Sequence, residues 1–361
     1  MRPIIFTAVL ILMQLFTFGL GRSLQWLFAP LIGKSARRIL MIGAFVITNC
    51  LIFGLLLQLG HAVFRWTAVW MVLLLFVMYA ALATFLLHLV LRRFVRPQVL
   101  ARCLRAFAPF FVAALFGLAL YNAYTPTVRY QTVTINKKLE RPVRIATASD
   151  FHLGILFGAR QLDKFTAIMN REKPDIILLP GDIMDDNVEA YRAENMQPHF
   201  AKIRAPLGVY ATLGNHDLFG HQREIYEEIE KAGITVLANR AVETGGIIVA
   251  GRNDDIDKNR PSAAEILNGQ DTSKPVFLLD HRPTQIEEHA RLPIDVQVSG
   301  HVHNGQIAPA NLIVRTLYRL HYGHEKIGNS HFFTSSGYGF WGIPLRLGSQ
   351  SEVWIIDVKG S

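Results

Sequence analysis

Cysteine is almost missing from this chain: Cys50 and Cys103 are its two thiols, and both fall in an apolar amino-terminal third. That excludes a disulfide framework and a thiolate zinc site, and it leaves no thiol for redox chemistry beyond residue 103. Charge is also sparse, with 18% Asp, Glu, Lys and Arg against 51% hydrophobic residues. Inside the long apolar runs that precede residue 125 there is no charged side chain, so a proton relay or a charged-substrate channel lacks its parts. The net charge of +9 suggests nucleic acid, but its placement argues otherwise. Arg22, Lys34, Arg37, Arg38, Arg92, Arg93, Arg96, Arg102 and Arg105 flank the apolar runs, and these nine equal the whole excess. They read as topogenic charges, with no nucleic-acid partner expected.

Four apolar runs, 3–20, 39–59, 66–91 and 107–124, approach or exceed the ~20 residues a helix needs to cross a bilayer. A signal peptide with Arg2 as its basic region fits the first less well, because no small-x-small site follows and three more runs do. Segments apolar on every face do not come in sets of four in a soluble core. Residues 1–124 are therefore expected to form a four-helix transmembrane region. The stretch between the first two runs has four Lys or Arg, that between the last two has five, and the middle one has Arg65 with His61. Positive-inside then puts the first and third loops in the cytoplasm, and both termini with everything after Tyr124 outside. Trp66 and Trp70 suit an outer aromatic belt, and Thr84 and His88 read as satisfied contacts within a span.

After Thr125-Pro126 the composition turns mixed, giving a linker and first strand over 125–142 and a second domain over 143–361. Val128–Ile135 alternates as a half-buried strand does. Val143–Ala148 runs into Asp150-Phe151-His152, and a helical pattern over 161–171 crosses to Ile176–Leu179, which ends in Gly181-Asp182-Ile183-Met184-Asp185. Later strands end in Gly214-Asn215-His216-Asp217, in Asp280-His281 and in Gly300-His301-Val302-His303. The domain has eleven histidines, and five of them follow strand ends, where ligands collect in α/β sheets. Carboxylate, carboxamide and imidazole suit Mn²⁺, Fe²⁺ or Zn²⁺ rather than a calcium cage. The donors outnumber one ion's needs, so two divalent ions sharing a carboxylate are expected, in the arrangement that activates a bridging water for in-line attack on phosphorus.

Those five blocks, in that order, resemble the calcineurin-like metallophosphoesterase family over about residues 143–358. The resemblance implies a four-layer α/β/β/α sandwich. It also implies that Asp150, His152, Asp182 and His303 hold one ion, and that Asp182, Asn215, His281 and His301 hold the other, with Asp182 bridging. His216 would stand by the leaving group, and Asp185 and Asp217 would orient neighbours. Gly300–Gln306 followed by Ser335–Gly339 and Pro344–Gly348 is similar to the membrane-associated bacterial branch, the YkuE- and YaeI-type phosphoesterases, although Asn304 stands where Gly is common. The Arg that follows the second acid in Ser/Thr protein phosphatases is absent, since Asp186-Asn187 comes next. Protein dephosphorylation is thus not expected.

The expectation is a multi-pass enzyme of the bacterial inner membrane with an extracytoplasmic catalytic domain. It would hydrolyse a phosphomonoester or phosphodiester, of a phosphorylated lipid or envelope precursor. Two alternatives are a pyrophosphatase on nucleotide-linked lipid, disfavoured because such nucleotides are cytoplasmic, and a non-catalytic sensor, disfavoured by the complete ligand set. Asp254, Asp255 and Asp257 read as a solvated loop rather than a third metal site. Arg346 reads equally as a phosphate contact or an ion pair. Residues 307–322 read as a packed loop or as an interfacial element whose Arg315 and Arg319 meet lipid phosphates.

Overall fold

Backbone in hydrocarbon must satisfy its own hydrogen bonds, and a helix does so within one segment. The computed structural model describes residues 2–361, with side chains from Phe6 onward. It forms two units that meet at Leu118 and Ala119. The first contains α1 (Arg2–Leu27), α2 (Lys34–Leu56), α3 (His61–Leu91) and most of α4 (Pro97–Tyr124). All four are long and apolar enough to cross a membrane. Leu20, Ala44 and Leu74 form an apolar seam between α1, α2 and α3. Polar contacts join the same helices: Thr17 and Thr48 share a hydroxyl hydrogen bond at 2.8 Å, and Trp70 Nε1 donates to Thr48 at 2.8 Å. Trp70 therefore faces its neighbours rather than an outer belt, while Trp66 is exposed.

The helices overrun the apolar stretches. Arg22 lies in α1, Lys34, Arg37 and Arg38 in α2, and Arg102 and Arg105 in α4, so six of the nine counted loop charges are helical. Backbone hydrogen bonding does not depend on side-chain polarity, so the coil continues past the last apolar residue.

The unit boundary also falls inside α4 rather than after Tyr124. The last turns of that helix are bonded into the second unit: the Arg346 N–H donates to the Ala119 carbonyl at 3.0 Å, and Ser351 Oγ to the Ala123 carbonyl at 2.6 Å.

The second unit is built on two mixed sheets. One has β1 (Thr127–Ile135), β2 (Val143–Thr147), β3 (Ile176–Pro180), β4 (Val209–Thr212), β5 (Thr235–Val236) and β12 (Glu352–Gly360), in the order β1-β12-β2-β3-β4-β5. The other has β6 (Arg240–Thr244), β7 (Ile247–Arg252), β8 (Val276–Asp280), β9 (Val296–Ser299), β10 (Gly323–Ile327) and β11 (Ser330–Thr334), in the order β10-β11-β9-β8-β7-β6. The strands that deliver candidate ligands are parallel neighbours, β2-β3-β4 in one sheet and β8-β9 in the other. As buried parallel strands do, they read as near-continuous apolar runs. The inner faces share one core, with Ile145, Ile176 and Leu178 packed into the cluster that holds Phe277, Leu279 and Val298.

Helices α5 (Ala159–Glu172), α6 (Glu189–Ala193), α7 (Gln197–Phe200) and α8 (Gln222–Lys231) add Leu162, Phe165, Tyr191, Phe200 and Ile225 to a second core on the outer face of the first sheet. Helix α9 (Ala263–Leu267) covers the other outer face through Ile266 and Leu267. The short α10 (Ile286–His289) and α11 (Ala310–Leu317) complete the α-helices among the described residues, and single 3₁₀ turns lie at His216–Leu218 and His303–Gly305. The result is the four-layer α/β/β/α sandwich expected.

Residues 307–322 are not a packed loop. They contain α11, which buries none of its residues and exposes Leu312, Ile313 and Leu317. Arg319 pairs with Glu325 at 2.7 Å and Glu287 at 3.1 Å, so it is already engaged by protein carboxylates.

Candidate metal centre

Parallel strands side by side bring their carboxyl ends to one edge, and here the turns after β2, β3, β4, β8 and β9 converge. Four sets of side chains have donor atoms mutually within 4.8 Å: Asp150, His152 and His303; His152, Asp182 and His216; Asp182, His281 and His301; and Asp185, Asp186 and His216. Asp182 is common to the second and third sets, and His152 to the first and second. Asn215 is buried after β4.

The turns are tight. Asp150, His152, Asp182, His301 and His303 all have φ between 48° and 70°. This left-handed region is uncommon for side-chain-bearing residues and costs roughly 1–3 kcal/mol each, strain that gathers at functional sites. Asn304, where the branch commonly has Gly, takes φ 47° as well. Gly300 is needed for space: a Cβ there would overlap the Asp150 carboxylate and the Ser149 side chain. Gly300→Ala should destabilise the fold by about 1–3 kcal/mol, as overpacking does. A lowered thermal midpoint of the purified chain is the measurement, and an unchanged one contradicts this reading.

Backbone donors hold the carboxylates. Asp182 Oδ1 accepts the His216 N–H at 2.9 Å, and Asp150 accepts the His301 N–H at 2.9 Å and the Ser149 hydroxyl. Asp217 accepts three N–H groups, from Ile183, Met184 and Gly214, at 2.9–3.1 Å, which ties the β3 turn to the β4 turn. Burial and the nearby Asp182 push its pKa up to about 6. Asp185 approaches His152, with Oδ1 3.7 Å from Nδ1.

Whether these groups suit a cation can be judged at His281. Its Nδ1 must donate to the Pro180 carbonyl at 2.8 Å, because a carbonyl only accepts. Nε2 of the neutral ring then presents a lone pair to the Asp182 carboxylate oxygen 3.1 Å away. Lone pair against lone pair is repulsive unless a positive centre lies between them. Burial lowers the affinity of His281 for a proton, yet Asp182 and Asp150 overcome it and push its pKa up to about 10. His152 Nε2 and His303 Nε2 stand 3.2 Å apart, with Asp150 Oδ1 3.4 Å from the latter; Arg346 Nη2 donates to His303 Nδ1 at 3.0 Å, so the neutral His303 ring carries its proton on Nε2 and turns it toward His152. Buried Asn215 Oδ1, His281 Nε2 and His152 Nδ1 have no hydrogen-bond partner. His303 and His301 are held neutral by burial, helped by Arg346 and by His281 respectively, and the His301 pKa falls to about 3. Asp182 is held below the carboxylate range, against burial, by His281. An anionic Asp182, neutral rings at His301 and His303, and a His281 that needs positive charge beside it fit divalent cations.

His216 lies at the edge of this cluster, with its ring 4.8 Å from that of His152. Its Nδ1 is 2.5 Å from Asp186 Oδ1. Burial pulls its pKa down, but Asp186 and Asp182 raise it above the usual value. Sequence reasoning missed Asp186, although the Asp185-Asp186 pair was its signal. It also missed the exposed rings of Phe219 and Trp341, whose centroids lie 5.2 and 6.3 Å from that of His216.

Arg346 is neither a phosphate contact nor an ion pair. It is fully buried, and its Nη2 donates to the Ser336 and Gly339 carbonyls at 2.6 Å each, fixing the loop beside His303. The 254–257 stretch is not simply solvated either. Asp254 is buried against Arg282 Nε at 2.6 Å, and Asp257 accepts from Asn253 and Asn239.

Residues 143–305 match the calcineurin-like phosphoesterase family. An uncharacterized metallophosphoesterase of Aquifex aeolicus is 32% identical over 261 residues, 69% of this chain and 98% of that one. The uncharacterized metallophosphoesterase YkuE of Bacillus subtilis is 28% identical over 227 residues, 60% of this chain and 79% of that one. A Danio rerio transmembrane protein with a metallophosphoesterase domain is 28% identical over 267 residues, 69% of this chain and 60% of that one. With the four apolar helices, that relative points to a membrane protein. The chain belongs to the calcineurin-like phosphoesterase family and is a metal-dependent hydrolase.

Proposed function

We propose that this chain is a membrane-anchored phosphoesterase that uses two divalent ions to hydrolyse a phosphomonoester or phosphodiester, with a phosphorylated lipid or envelope precursor as substrate. The observation that carries the reading is the Asp182 carboxylate, common to two donor clusters and 3.1 Å from His281 Nε2. Asp150, His152, Asp182 and His303 would hold one ion, and Asp182, Asn215, His281 and His301 the other. Bound there, the ions would polarise phosphate oxygens and acidify a water between them.

The rest falls to the chain itself. Asp217 and the backbone N–H of His216 fix the Asp182 turn, so the shared carboxylate is set before substrate arrives. His216, with Nδ1 held by Asp186, keeps Nε2 to pass a proton to the departing alcohol oxygen. Beside it, Phe219 and Trp341 offer exposed apolar surface, which supports an amphiphilic substrate over a fully polar one. Loop charges support a catalytic domain on the extracytoplasmic side of a bacterial inner membrane.

The test is metal removal. After chelation and dialysis, the detergent-purified chain should lose hydrolysis of soluble phosphomonoester and phosphodiester probes and regain it with Mn²⁺. Full activity in the metal-free protein would sink the proposal. If metal-restored enzyme cleaves soluble probes but leaves phospholipid in vesicles untouched, the chemistry stands and the lipid substrate falls.

A further inference from the structure

The helical unit has no acidic residue at all: the first Asp or Glu of the chain is Glu140. Every Lys and Arg up to Leu118 thus lacks a countercharge within its own unit. Four of them, Arg22, Lys34, Arg37 and Arg38, gather where the end of α1 meets the start of α2, around a pocket of about 380 Å³. Gln25 bridges the group, accepting from Arg22 Nη1 at 3.4 Å and donating to the Arg37 carbonyl at 3.1 Å. A neutral carboxamide orients these cations but does not neutralise them. Arg37 Nε is buried and has no hydrogen-bond partner, which is costly for a charged donor.

This pocket shares Arg22 and Trp26 with a cleft of about 740 Å³ between α1, α3 and α4. The cleft walls are apolar, among them Leu24, Val77, Phe85 and Leu104, and its volume lies within the roughly 300–1,000 Å³ of ligand sites. Its polar groups include Arg22 and His88, together with Thr84, whose buried hydroxyl has no partner. Thr84 is thus not the satisfied contact that the sequence suggested. Trp26, the wall between the two spaces, is held in place: the Arg105 guanidinium lies 5.3 Å over its ring, and Arg105 Nε donates to its carbonyl at 3.2 Å.

A cationic pocket side by side with an apolar cleft, sharing Arg22 and Trp26, matches a phosphate followed by acyl chains. We propose that the helical unit holds one anionic phospholipid of the bilayer, its phosphate among Arg22, Lys34, Arg37 and Arg38 and its chains between α1, α3 and α4. A zwitterionic lipid brings its own cation and leaves the four charges uncompensated. Inorganic phosphate leaves the cleft unfilled. Clustered basic side chains at a membrane surface favour anionic headgroups for the same electrostatic reason. The site is separate from the metal centre and stands independently of the reaction proposed for it.

Native mass spectrometry of the detergent-purified full chain tests this, titrated with phosphatidylglycerol, with phosphatidylcholine of the same chains, and with inorganic phosphate. One phosphatidylglycerol should be retained, with an apparent affinity at least about tenfold above phosphatidylcholine, a difference of one decade in Kd. R37Q/R38Q should bring the two lipids level, and A81F, which keeps every charge and fills the cleft, should weaken both. Variants are compared as monodisperse protein of wild-type helicity, and A81F guards against a charge change that disturbs insertion. Equal retention of both lipids by the native chain overturns the site, as does wild-type retention in both variants. Retention of inorganic phosphate as tight as that of phosphatidylglycerol overturns the lipid as occupant.

Discussion

Asp182→Asn should leave a folded protein whose phosphoesterase rate falls by about 10³-fold or more. The carboxamide keeps the shape and an oxygen for the His216 N–H, so the turn after β3 survives. What is lost is a negative charge that belongs to two donor clusters at once. Charge stabilisation by bound ions is worth several kcal/mol, and each 1.36 kcal/mol is tenfold in rate. Metal content should fall with activity, since a neutral group cannot offset two dications in a buried site. Initial rates paired with metal analysis by mass spectrometry check both. Wild-type rates in the variant would end the two-ion reading, whatever the substrate.

The second large effect is expected at His216, whose ring lies at the edge of the cluster, 4.8 Å from that of His152. His216→Ala should slow hydrolysis by about 10²–10⁴-fold where the leaving group is an alkoxide, the usual span for general acid catalysis. With nitrophenolate, which departs without a proton, the loss should shrink well below that. Rates across esters of graded leaving-group pKa measure the difference. A uniform loss across the series would assign His216 to binding instead of proton transfer. Raising its pKa against burial is the work of Asp186, so the acid is paired with a residue that the motif pattern does not include.

The metal centre was legible for a physical reason. Parallel strands buried on both faces must be short apolar runs, so Ile176–Leu179 and Val276–Leu279 announce themselves, and the polar residues that follow at Asp182 and at Asp280-His281 stand out. The left-handed turns at Asp182, His301 and His303 carry no signal beyond the flanking Gly181 and Gly300. Strand β10, Gly-His-Glu-Lys-Ile, is polar and lies at a sheet edge, so no run marks it. Strand β6 is the opposite edge of that sheet and is as polar. Arg346 could not be placed, because it bonds the Ser336 and Gly339 carbonyls, which leave no trace in side-chain identity, and a neutral His303 ring rather than an acid. The helix ends were misjudged because hydropathy falls where the apolar region stops, whereas the backbone goes on coiling, to Leu27 in α1, and starts again directly after the caps at Gly33 and Gly60. Trp70 and Thr48 show the same limit: their pairing is set by which helices adjoin, and periodicity does not encode that.

The pairing of β1 with β12 carries a further consequence, for the order of events during synthesis. Thr127 lies opposite Glu352 and Ile135 opposite Gly360, so β1 leaves the ribosome long before its partner. Strand β12 also separates β1 from β2, so the first sheet cannot close around β2 until Glu352–Gly360 has emerged. Such distant pairing carries a high loop-closure cost and slows folding. The helices, whose hydrogen bonds are local, need not wait. The hydrolase unit therefore folds after the helical one, exposing an unpaired β1 edge for most of translation, and a chain arrested before residue 352 would leave that edge open to other strands.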